Sequence, residues 1–404
     1  MRLGIVYHMP FWRDSAGVLR ELEGSFARYV DSLAPYFDEI VLCVPMMKTG
    51  RGEGTAVRAP NVIVAPLPFF DGPAQFYPRL HRMVGPIVRF ARSIDVMHCR
   101  VPTPAGTAAF VAARAAGRPA FLLVVGDLAA LLPTMPYRGA KKWLWRAYTA
   151  LEESSIAWMA ARSLTFANGA ALAAKHSRPG RGAIETRTTT IDARDIASRV
   201  DCCAGNEIRL LTVSRIDPRK GLRVLPAVVE TLRARGHRVS LDLVGPVVGS
   251  PGDAEARAIT DEAVRLKVAD RLRLLGGIAF DRLLPLYRDY DLFVLPTLPG
   301  EGIPRVLLEA MTSGLPVVTT AVAGIPGLVD HERNGLLVSE PASDALAGAI
   351  ERILIDPVLR RRLIANGYDT ARAHTLQAQA AGMMATVAAR LGVSLRGPAA
   401  APAV

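Results

Sequence analysis

A predicted loop and the helix after it carry two glutamates at a spacing that suits a nucleotide. Glu301 and Gly302 come shortly before Pro304, which is well suited to the first position of a helix. A helix N-terminus offers free backbone N–H groups, and Gly302 lets a ligand come close, so this loop can hold a diphosphate. Glu309 lies five residues after Pro304, about 7.5 Å further along the helix axis, where its carboxylate can accept two ribose hydroxyls. The plainer alternative is a helix-entry carboxylate at Glu301 and a solvated helical residue at Glu309.

A second loop carries two cations directly after a predicted strand. The strand is the apolar run Ile208–Val213, and Arg215 and Lys220 follow it before the next helical stretch. Arginine binds phosphate oxygens through two N–H groups at once, and lysine acts as a point charge. This loop is therefore also placed for a diphosphate, unless it is only a basic surface turn.

Strands and helices alternate along both halves of the chain, which predicts βαβ units and parallel sheets. The fold class is therefore α/β, with two Rossmann-like domains. In such sheets ligands bind beyond the carboxyl ends of the strands, so a central cleft between the two domains is the expected site. We predict an N-terminal domain at residues 1–196, a C-terminal domain at residues 207–370, and a C-terminal helix with a disordered tail at residues 371–404.

Composition limits the class of protein. The chain has 404 residues, of which 50% are hydrophobic and 21% charged, and this is ordinary for a globular protein with ample core. Four cysteines are too few for a disulfide framework. The first residues lack the apolar region of a signal peptide, and no apolar run reaches the roughly 18 residues of a membrane span. These features predict a cytoplasmic protein.

The positive charge of the chain is concentrated in its first half. The formal net charge is +12, of which +10 falls on residues 1–200. That half is expected to face nucleic acid, an anionic membrane surface or a phosphorylated substrate, unless it is only a solvated basic face. The sequence carries no recognisable nucleic-acid-binding motif, so we expect no nucleic acid partner.

Taken together, these segments resemble the retaining glycosyltransferases of family 4, which have the two-Rossmann fold called GT-B. The resemblance covers most of residues 208–353. Its motifs are Arg215, Lys220-Gly221, Glu301 with Glu309, Ala323-Gly324-Ile325-Pro326 and Asn334-Gly335-Leu336-Leu337-Val338. Several motifs in the family's order and spacing are far more specific than any one of them.

The resemblance implies that the N-terminal domain at residues 1–196 binds the acceptor and that the C-terminal domain at residues 207–370 binds the nucleotide sugar. It also implies a role for each matching residue. Arg215 and Lys220 would neutralise the donor diphosphate and the charge that develops on the leaving group. Glu301 would contact the donor sugar, and Glu309 would hold the ribose. The other residues expected at the donor are Gly276 and Ile278 near the base, and Gly302, Ile303 and Pro304 in the sugar loop. The implied reaction uses a nucleotide diphosphate sugar, keeps the anomeric configuration and needs no obligatory metal or other cofactor.

The first half departs from the family at several positions. Gly17 is the only glycine of the first loop, where members often have Gly-Gly, and it is the candidate for phosphate approach. Asp127 follows a predicted strand where many members have a histidine that touches the donor sugar, and it is the candidate catalytic replacement. His98 and Arg100 are candidate acceptor-side residues, and Arg100 replaces the second histidine of a family motif. Their plainer alternatives are a structural histidine and a surface cation.

Basic and aromatic residues cluster in the first half, most clearly at Lys141, Lys142, Trp143, Trp145 and Arg146. A helix of this composition can lie on an anionic membrane surface. Alternatively, the tryptophans pack in the core and the cations are solvated. The first interpretation predicts a protein at the inner membrane face that reaches a glycan or lipid-linked acceptor.

The expected function is transfer of a sugar, with retention, to a glycan, glycolipid or other acceptor in surface polysaccharide or glycoconjugate assembly. Two alternatives stay open: a nucleotide-sugar epimerase of the GT-B type, and a non-catalytic nucleotide-sugar-binding partner of an active glycosyltransferase. Asp289-Tyr290-Asp291 has the spacing of a metal motif found in other glycosyltransferases. Because it precedes a predicted strand, we predict a structural role for Asp291 and no metal site.

Overall fold

Two compact units make up the chain, and each is built on a parallel sheet. The structure is a computed structural model. It describes residues 1–21, 25–50, 54–70, 72–132, 139–178, 180–298, 304–322 and 324–397. The first unit comprises Met1–Thr188 and Gln379–Val404, and the second comprises Thr189–Ala378.

The first unit alternates strands and helices. Its elements are β1 (Arg2–Val6), β2 (Phe11–Arg13), β3 (Leu19–Glu21), α1 (Ser25–Leu33), β4 (Glu39–Pro45), β5 (Thr55–Ala56), β6 (Val62–Leu67), α2 (Pro73–Phe76), α3 (Leu80–Arg92), β7 (Val96–Val101), α4 (Pro104–Ala115), β8 (Ala120–Val124), α5 (Leu128–Leu131), α6 (Gly139–Ala160), β9 (Leu164–Asn168), α7 (Ala170–His176) and β10 (Ile184–Thr186). Among the described residues, seven strands form a parallel sheet in the order β10-β9-β8-β7-β1-β4-β6. The short strands β2, β3 and β5 form an antiparallel sheet of their own.

The second unit repeats this plan. Its elements are β11 (Ile208–Val213), α8 (Leu225–Ala234), β12 (Val239–Val244), α9 (Gly249–Arg265), β13 (Leu272–Gly276), α10 (Phe280–Tyr287), β14 (Leu292–Leu295), α11 (Arg305–Thr312), β15 (Val317–Thr320), β16 (Leu336–Val338), α12 (Ser343–Ile355) and α13 (Pro357–Ala373), and α14 (Leu376–Leu391) leads back into the first unit. In the part of the chain that the structure describes, its sheet has six parallel strands in the order β13-β12-β11-β14-β15-β16.

The central strands β8 and β14 are apolar along their whole length, because helices cover both faces of each sheet. Every residue of β8 and of β14 is buried, as expected for parallel strands in α/β folds. The predicted α/β class with two Rossmann-like domains is confirmed. None of the helices that the structure describes is both long and apolar enough to cross a membrane.

In both units the first long strand lies inside the sheet, and the chain order reverses beside it. β1 lies between β4 and β7, and β11 lies between β12 and β14. Connections on the two sides of such a reversal run in opposite directions, which opens a crevice at the carboxyl ends of the strands. The fold therefore places the loops after β11 and β14, and those after β1 and β7, at candidate binding edges.

The segment after the first strand differs from the sequence prediction. The pattern predicts a helix near residues 19–32, but β3 forms at its start and α1 begins only at Ser25. The buried carboxylate of Glu21 accepts the backbone N–H groups of Phe26 and Ala27 at 3.1 and 2.8 Å. It stabilises the first turn of α1 as an N-terminal cap does, so a strand residue starts the helix.

The boundary between the units lies earlier than the predicted end of the first domain at residue 196. The chain from Thr189 onward belongs to the second unit. Arg199 ties this segment down, because it donates to the carbonyl oxygens of Tyr290 and Arg288 at 2.6 and 2.5 Å. The chain around Arg199, which lies between the two predicted domains, is thus fixed by contacts with residues distant in sequence.

The predicted separate C-terminal part at residues 371–404 is divided between the units. α14 runs into the first unit, where the sulfur of buried Met383 lies 3.9 Å from the hydroxyl of Tyr29. Arg396, in the tail predicted to be disordered, donates its backbone N–H to a carbonyl of the first unit at 3.1 Å. Residues 398–404 lie outside the described part of the chain.

Candidate functional site

The loop after β11 is shaped by one aspartate that holds one arginine. Asp217 accepts the backbone N–H of Arg219 at 3.0 Å, and its two oxygens accept the Nε and Nη2 groups of that arginine at 2.9 and 2.6 Å. This guanidinium lowers the pKa of Asp217 to about 2, so the carboxylate is ionised at neutral pH. The charge of Arg219 is therefore neutralised within the loop.

The two predicted cations lie on either side of this ion pair. Arg215 is exposed and makes no side-chain hydrogen bond within the described residues. Lys220 is half-buried and ends the tight turn Pro218–Lys220. Both cations therefore lie on one short loop at the carboxyl end of β11, beside the reversal in strand order, which is where a diphosphate is expected to bind.

Two glycines allow the loops at this edge to touch one another. A Cβ atom on Gly221, whose φ is +64°, would lie 2.1 Å from the carbonyl oxygen of Pro296 just after β14. A Cβ atom on Gly245 would lie 1.9 Å from the carbonyl oxygen of Ser214. No other residue type fits these contacts without moving the backbone. The loops after β11, β12 and β14 thus pack against one another and form one packed edge. This edge holds in place the loop that carries Arg215 and Lys220, called here the cation loop.

Replacing Gly221 with alanine is expected to lower the free energy of unfolding by roughly 2–5 kcal/mol. The left-handed backbone costs roughly 1–2 kcal/mol for a residue with a Cβ, and forcing the two loops apart adds roughly 1–3 kcal/mol. Urea denaturation measures the difference. Gly236→Ala is the matched control, since Gly236 also has a positive φ but no atom within 4 Å of a Cβ. Equal losses in the two variants would contradict the close contact at Gly221.

Glu309 is buried, and both of its carboxylate oxygens are engaged. It lies on α11 and is 4% exposed. Its Oε1 accepts the hydroxyl of Thr190 at 2.8 Å, and its Oε2 accepts the hydroxyl of Tyr287 at 3.0 Å. Burial, together with the charge of Glu309, raises the pKa of Tyr287 well above its usual value. The alternative of a solvated helical residue is wrong for Glu309, and its contact with a ribose stays a prediction.

Thr190 and Tyr287 are the site residues that the sequence did not reveal. They reach Glu309 from the start of the second unit and from the end of α10. Neither belongs to a motif, and hydroxyl side chains are too common for their type alone to mark them. Only the folded chain brings them to the carboxylate.

The loop predicted to contact the donor sugar is described only at its two ends. Outside the described residues lie Glu301, Gly302, Ile303 and Ala323. At the incoming end, the backbone N–H of Leu298 donates to the carbonyl of Arg219 at 3.1 Å. At the outgoing end, Pro304 takes the cap position and α11 begins at Arg305, one residue later than predicted. The loop is thus anchored at its start to the cation loop, and its sugar contacts stay predictions.

The residues predicted to border the base lie after β13. Gly276 ends that strand with a φ of +72°, and its carbonyl accepts the backbone N–H of Gly245 at 2.8 Å. Gly276 therefore belongs to the same packed edge as the cation loop. Ile278 is half-buried and packs against the core of the second unit. Their predicted contacts with a base are compatible with these positions and remain predictions.

In the first unit, Arg100 lies among aromatic rings between the ends of β1 and β7. Its guanidinium carbon is 5.1, 4.9 and 5.0 Å from the ring centres of Tyr7, Phe26 and Tyr29. Its Nε atom is buried and has no hydrogen-bond partner among the described residues. Arg100 is therefore held by cation–π contacts with donors to spare, which suits an anionic ligand better than the alternative of a surface cation.

The neighbouring histidines are neutral. His98 has no exposed surface, its Nε2 lies 2.9 Å from the Tyr29 hydroxyl, and its ring stacks on Phe121 at 4.5 Å. Burial and the charge of Arg100 lower the pKa of His98 to about 3 and that of His8 to about 4. The structural alternative describes His98, because buried packing leaves it no surface for an acceptor.

Gly17 lies in a hairpin turn between β2 and β3, and not in the expected strand-to-helix loop. Its φ is +80°, and its backbone N–H donates to the carbonyl of Asp14 at 2.9 Å. The carboxylate of Asp14 accepts the backbone N–H groups of Ala16 and Val18, both at 2.9 Å. The turn alone requires a glycine here, and phosphate contact at Gly17 stays a prediction.

Asp127 caps a short helix and pairs with a lysine. Its carboxylate accepts the backbone N–H of Ala130 at 3.0 Å and lies 2.8 Å from the ammonium of Lys175. Lys175 also lies 2.8 Å from Glu153. Burial raises the pKa of Asp127, but the bonds from Lys175 and the backbone outweigh it and leave this pKa below its usual value. The side chain is an ionised, fixed carboxylate, and its catalytic role stays a prediction.

Asp291 uses both of its oxygens to join strands. Its Oδ1 accepts the backbone N–H of Cys203 at 2.8 Å, and its Oδ2 accepts that of Arg209 at 2.9 Å. Arg209 lies on β11, so Asp291 fixes the start of β14 against its neighbour in the sheet. This is a structural role at the strand start.

Comparison with known proteins gives a family match within the second unit. Residues 207–356 match the family described as glycosyl transferases group 1. The GDP-mannose-dependent alpha-(1-6)-phosphatidylinositol monomannoside mannosyltransferase of Mycobacterium tuberculosis is 32% identical over 203 residues, 49% of this chain and 49% of that protein. The amylovoran biosynthesis glycosyltransferase AmsK of Erwinia amylovora is 33% identical over 154 residues, 36% of each chain. This chain thus spans at most about half the length of these curated relatives.

Solved structures resemble the chain over nearly its whole length. Anabaena Alr3699/HepE, in complex with UDP, has a TM-score of 0.68 at 19% identity and covers 96% of this chain and 100% of its own. Sucrose-phosphate synthase from Thermosynechococcus elongatus has a TM-score of 0.66 at 18% identity, with 97% and 99% covered. At these identities the likeness shows the fold, which agrees with the expected GT-B class.

Proposed function

We propose that this chain transfers a sugar from a nucleotide diphosphate sugar to a glycan, glycolipid or other acceptor, with retention, because residues 207–356 match the glycosyl transferases group 1. The observation that carries the proposal is the pair of cations Arg215 and Lys220 at the packed edge beside β11 and β14. They lie within the matched region. Arg215 acts on Asp217 only through its charge, because both oxygens of that carboxylate bind Arg219. A diphosphate brings the negative charge that these two cations attract.

In the proposed reaction, the bond between the sugar's anomeric carbon and the diphosphate oxygen breaks as the acceptor oxygen bonds to the same face of that carbon. Arg215 and Lys220 neutralise the charge that grows on the diphosphate. The proton of the acceptor hydroxyl passes to the leaving phosphate, so no protein nucleophile is needed. Asp217 contributes indirectly, because its pairing with Arg219 sets the shape of the loop.

We propose that the acceptor binds to the first unit at the ends of β1 and β7. Arg100 lies there with a buried Nε that has no partner among the described residues, which favours an acceptor with an anionic group. One relative is named for transfer to a phosphatidylinositol monomannoside, and another for amylovoran biosynthesis. Surface polysaccharide or glycoconjugate assembly is the process that we propose for this chain.

A non-catalytic nucleotide-sugar-binding partner is the second candidate. The observation that favours it is Asp127, which replaces a histidine common in the resembled family and is already engaged by Lys175 and Ala130. An epimerase of the same fold is the third candidate, and it differs in giving product without an acceptor.

A nucleotide panel followed by turnover separates these candidates. UDP, GDP, ADP and dTDP are tested by thermal shift without added metal, and one of them is expected to stabilise the protein by about 2.7 kcal/mol at a hundredfold excess over Kd. The matching nucleotide sugar is then incubated with octyl glycosides as probe acceptors. Glycosylated product supports the proposal, and an isomerised sugar nucleotide formed without acceptor would indicate the epimerase. Binding without turnover would indicate the partner protein, and a flat panel would rule out a donor site.

We further propose that the first unit contacts an anionic membrane through the first turns of α6. Trp143 and Leu144 are 68% and 60% exposed, so the alternative of a core tryptophan is wrong for Trp143. Lys141, Lys142 and Arg146 are exposed beside them. Apolar side chains that face outward among cations are typical of interfacial helices.

Replacing Lys141, Lys142 and Arg146 with glutamine is expected to weaken binding to phosphatidylglycerol vesicles by roughly 10²-fold. Each cation near an anionic surface contributes about 1 kcal/mol, and three of them together give about this factor. Cosedimentation at low salt measures the affinity.

The control for this variant removes the same charge from the second unit, through glutamine at the exposed Arg238, Arg257 and Arg282. It is expected to bind vesicles as the wild type does. Equal binding by both triple variants, or no binding by the wild type, would remove α6 as a membrane contact.

A further inference from the structure

A cavity lies at the edge of the first sheet that is opposite to Asp127. It measures about 450 Å³ and includes Pro119 and Ser163, at the amino ends of β8 and β9. Asp127 follows the other end of β8, a strand of 5 residues. Such a strand is about 17 Å long. The cavity is therefore a separate site from the proposed acceptor site at the carboxyl ends of the strands.

Guanidinium groups dominate this cavity. The lining arginines are Arg114, Arg118, Arg162, Arg181 and Arg390. Within the described part of the chain, no aspartate or glutamate lines the cavity with them. They come from α4, the turn after it, the turn after α6, the segment before β10 and the end of α14. Five like charges around a small space repel one another, and a bound anion would relieve that repulsion.

None of these arginines has an ion-pair partner among the described residues. Elsewhere in the chain, arginines are regularly paired: Arg273 binds both oxygens of Asp242, and Arg360 binds both oxygens of Asp201. The cavity thus collects five cations without a carboxylate among them, in contrast to these paired arginines. It is unlike an ordinary solvated surface, where opposite charges are interspersed.

Backbone contacts hold some of these guanidiniums and leave most donors available. Arg162 donates one Nη1 N–H to the carbonyl of Trp158 at 3.1 Å, and Arg181 donates one to the carbonyl of Ala161 at 3.2 Å. The Nε of Arg118 is buried and has no hydrogen-bond partner among the described residues. A guanidinium has five N–H donors, so these side chains are oriented yet still able to bind oxyanions.

We propose that this cavity binds a ligand with clustered phosphate groups, such as a diphosphate. Arginine forks match phosphate oxygens in bidentate geometry. One phosphate monoester carries a charge of about −1.5 to −2 at neutral pH, so five guanidiniums call for more than one phosphate. The ligand is either a free diphosphate or a phosphorylated lipid headgroup. The site is independent of sugar transfer and of the donor cations.

Isothermal titration with inorganic pyrophosphate tests this site. Every protein in the test carries Arg215→Gln and Lys220→Gln, so that the proposed donor loop does not take up the probe. In this background R114Q/R390Q is expected to raise the Kd for pyrophosphate by roughly tenfold or more. The side chains of Arg114 and Arg390 make no hydrogen bond or ion pair among the described residues, so their replacement is expected to leave the fold intact.

The matched control is R238Q/R257Q, which removes two exposed cations from the second unit and should leave the Kd unchanged. R162Q/R181Q is a second variant with the same expected loss, and melting temperatures check that each variant is folded. Absence of pyrophosphate binding in the background, or equal Kd values in the cavity and control variants, would overturn the site. Citrate binding as tight as pyrophosphate would overturn its assignment to phosphate.

A vesicle arm identifies the source of the phosphate. Phosphatidylcholine vesicles that contain phosphatidic acid present a phosphomonoester, and those with phosphatidylglycerol present a phosphodiester. Loss of phosphatidic acid binding in R114Q/R390Q, but not in R238Q/R257Q, supports a lipid headgroup. Vesicle binding that is equal in these two variants, together with a pyrophosphate Kd that differs between them, supports a free diphosphate.

Discussion

Replacing Arg215 with alanine is expected to lower the rate of sugar transfer by roughly 10²–10³-fold, the usual loss when one preorganised charge-stabilising group is removed. Arg215 is exposed and makes no side-chain hydrogen bond within the described residues. Its loss therefore leaves the packed edge unchanged and removes only a charge from the diphosphate. The effect should fall mainly on kcat if Arg215 acts on the charge that develops as the bond breaks.

Steady-state kinetics with the matching nucleotide sugar measures this effect, with melting temperature as the check on folding. Arg238→Ala is the matched control, because Arg238 is also an exposed arginine of the second unit but precedes β12, at the opposite end of the sheet. The control should retain the wild-type rate. A comparable loss in both variants, or a wild-type rate in Arg215→Ala, would remove Arg215 from the reaction.

Replacing Glu309 with alanine is expected to lower the free energy of unfolding by roughly 2–6 kcal/mol and to abolish stabilisation by nucleotide. The stability loss has a structural cause, since the buried hydroxyls of Thr190 and Tyr287 each lose a carboxylate partner, at roughly 1–3 kcal/mol per group. The loss of nucleotide binding follows from the proposed ribose contact. The two effects are separable, because the first is measured without ligand.

Thermal shift without nucleotide measures the loss of stability, and thermal shift with nucleotide measures the loss of nucleotide binding. Glu152→Ala is the matched control, since Glu152 is a buried glutamate of the first unit that accepts the hydroxyl of Tyr77 at 3.3 Å. That variant should lose stability but keep the shift produced by nucleotide. If Glu309→Ala keeps the nucleotide shift, Glu309 serves the fold alone. If its stability is unchanged, the two hydroxyl contacts contribute nothing measurable.

The strands and the order of the motifs could be predicted from sequence because their causes are local. Strands such as β8 and β14 are apolar runs, and such runs stay buried whichever neighbours they pair with. The place of Arg215 and Lys220 followed from chain order alone, since a residue just after a parallel strand must lie at the carboxyl edge. The likeness to glycosyl transferases group 1 rested on the same short, ordered motifs.

Local patterns failed where partners come from far along the chain. The segment near Leu19 has a helical pattern, but instead of a helix it forms β3 and pairs with β2. This pairing also places Glu21 where its carboxylate accepts the first backbone N–H groups of α1. Arg199 lies between the two predicted domains, but it is fixed to the second unit through carbonyls about 90 residues away.

The sequence by itself determined the fold class, the family likeness and the edge at which the cations lie, because each depends on residue type and order along one segment. Only the tertiary structure decided the environments of the side chains. It buried Glu309 between two hydroxyls, surrounded Arg100 with aromatic rings and gathered unpaired arginines around one cavity. The physical reason is that burial and electrostatic partners depend on residues distant in sequence, and folding alone brings them together.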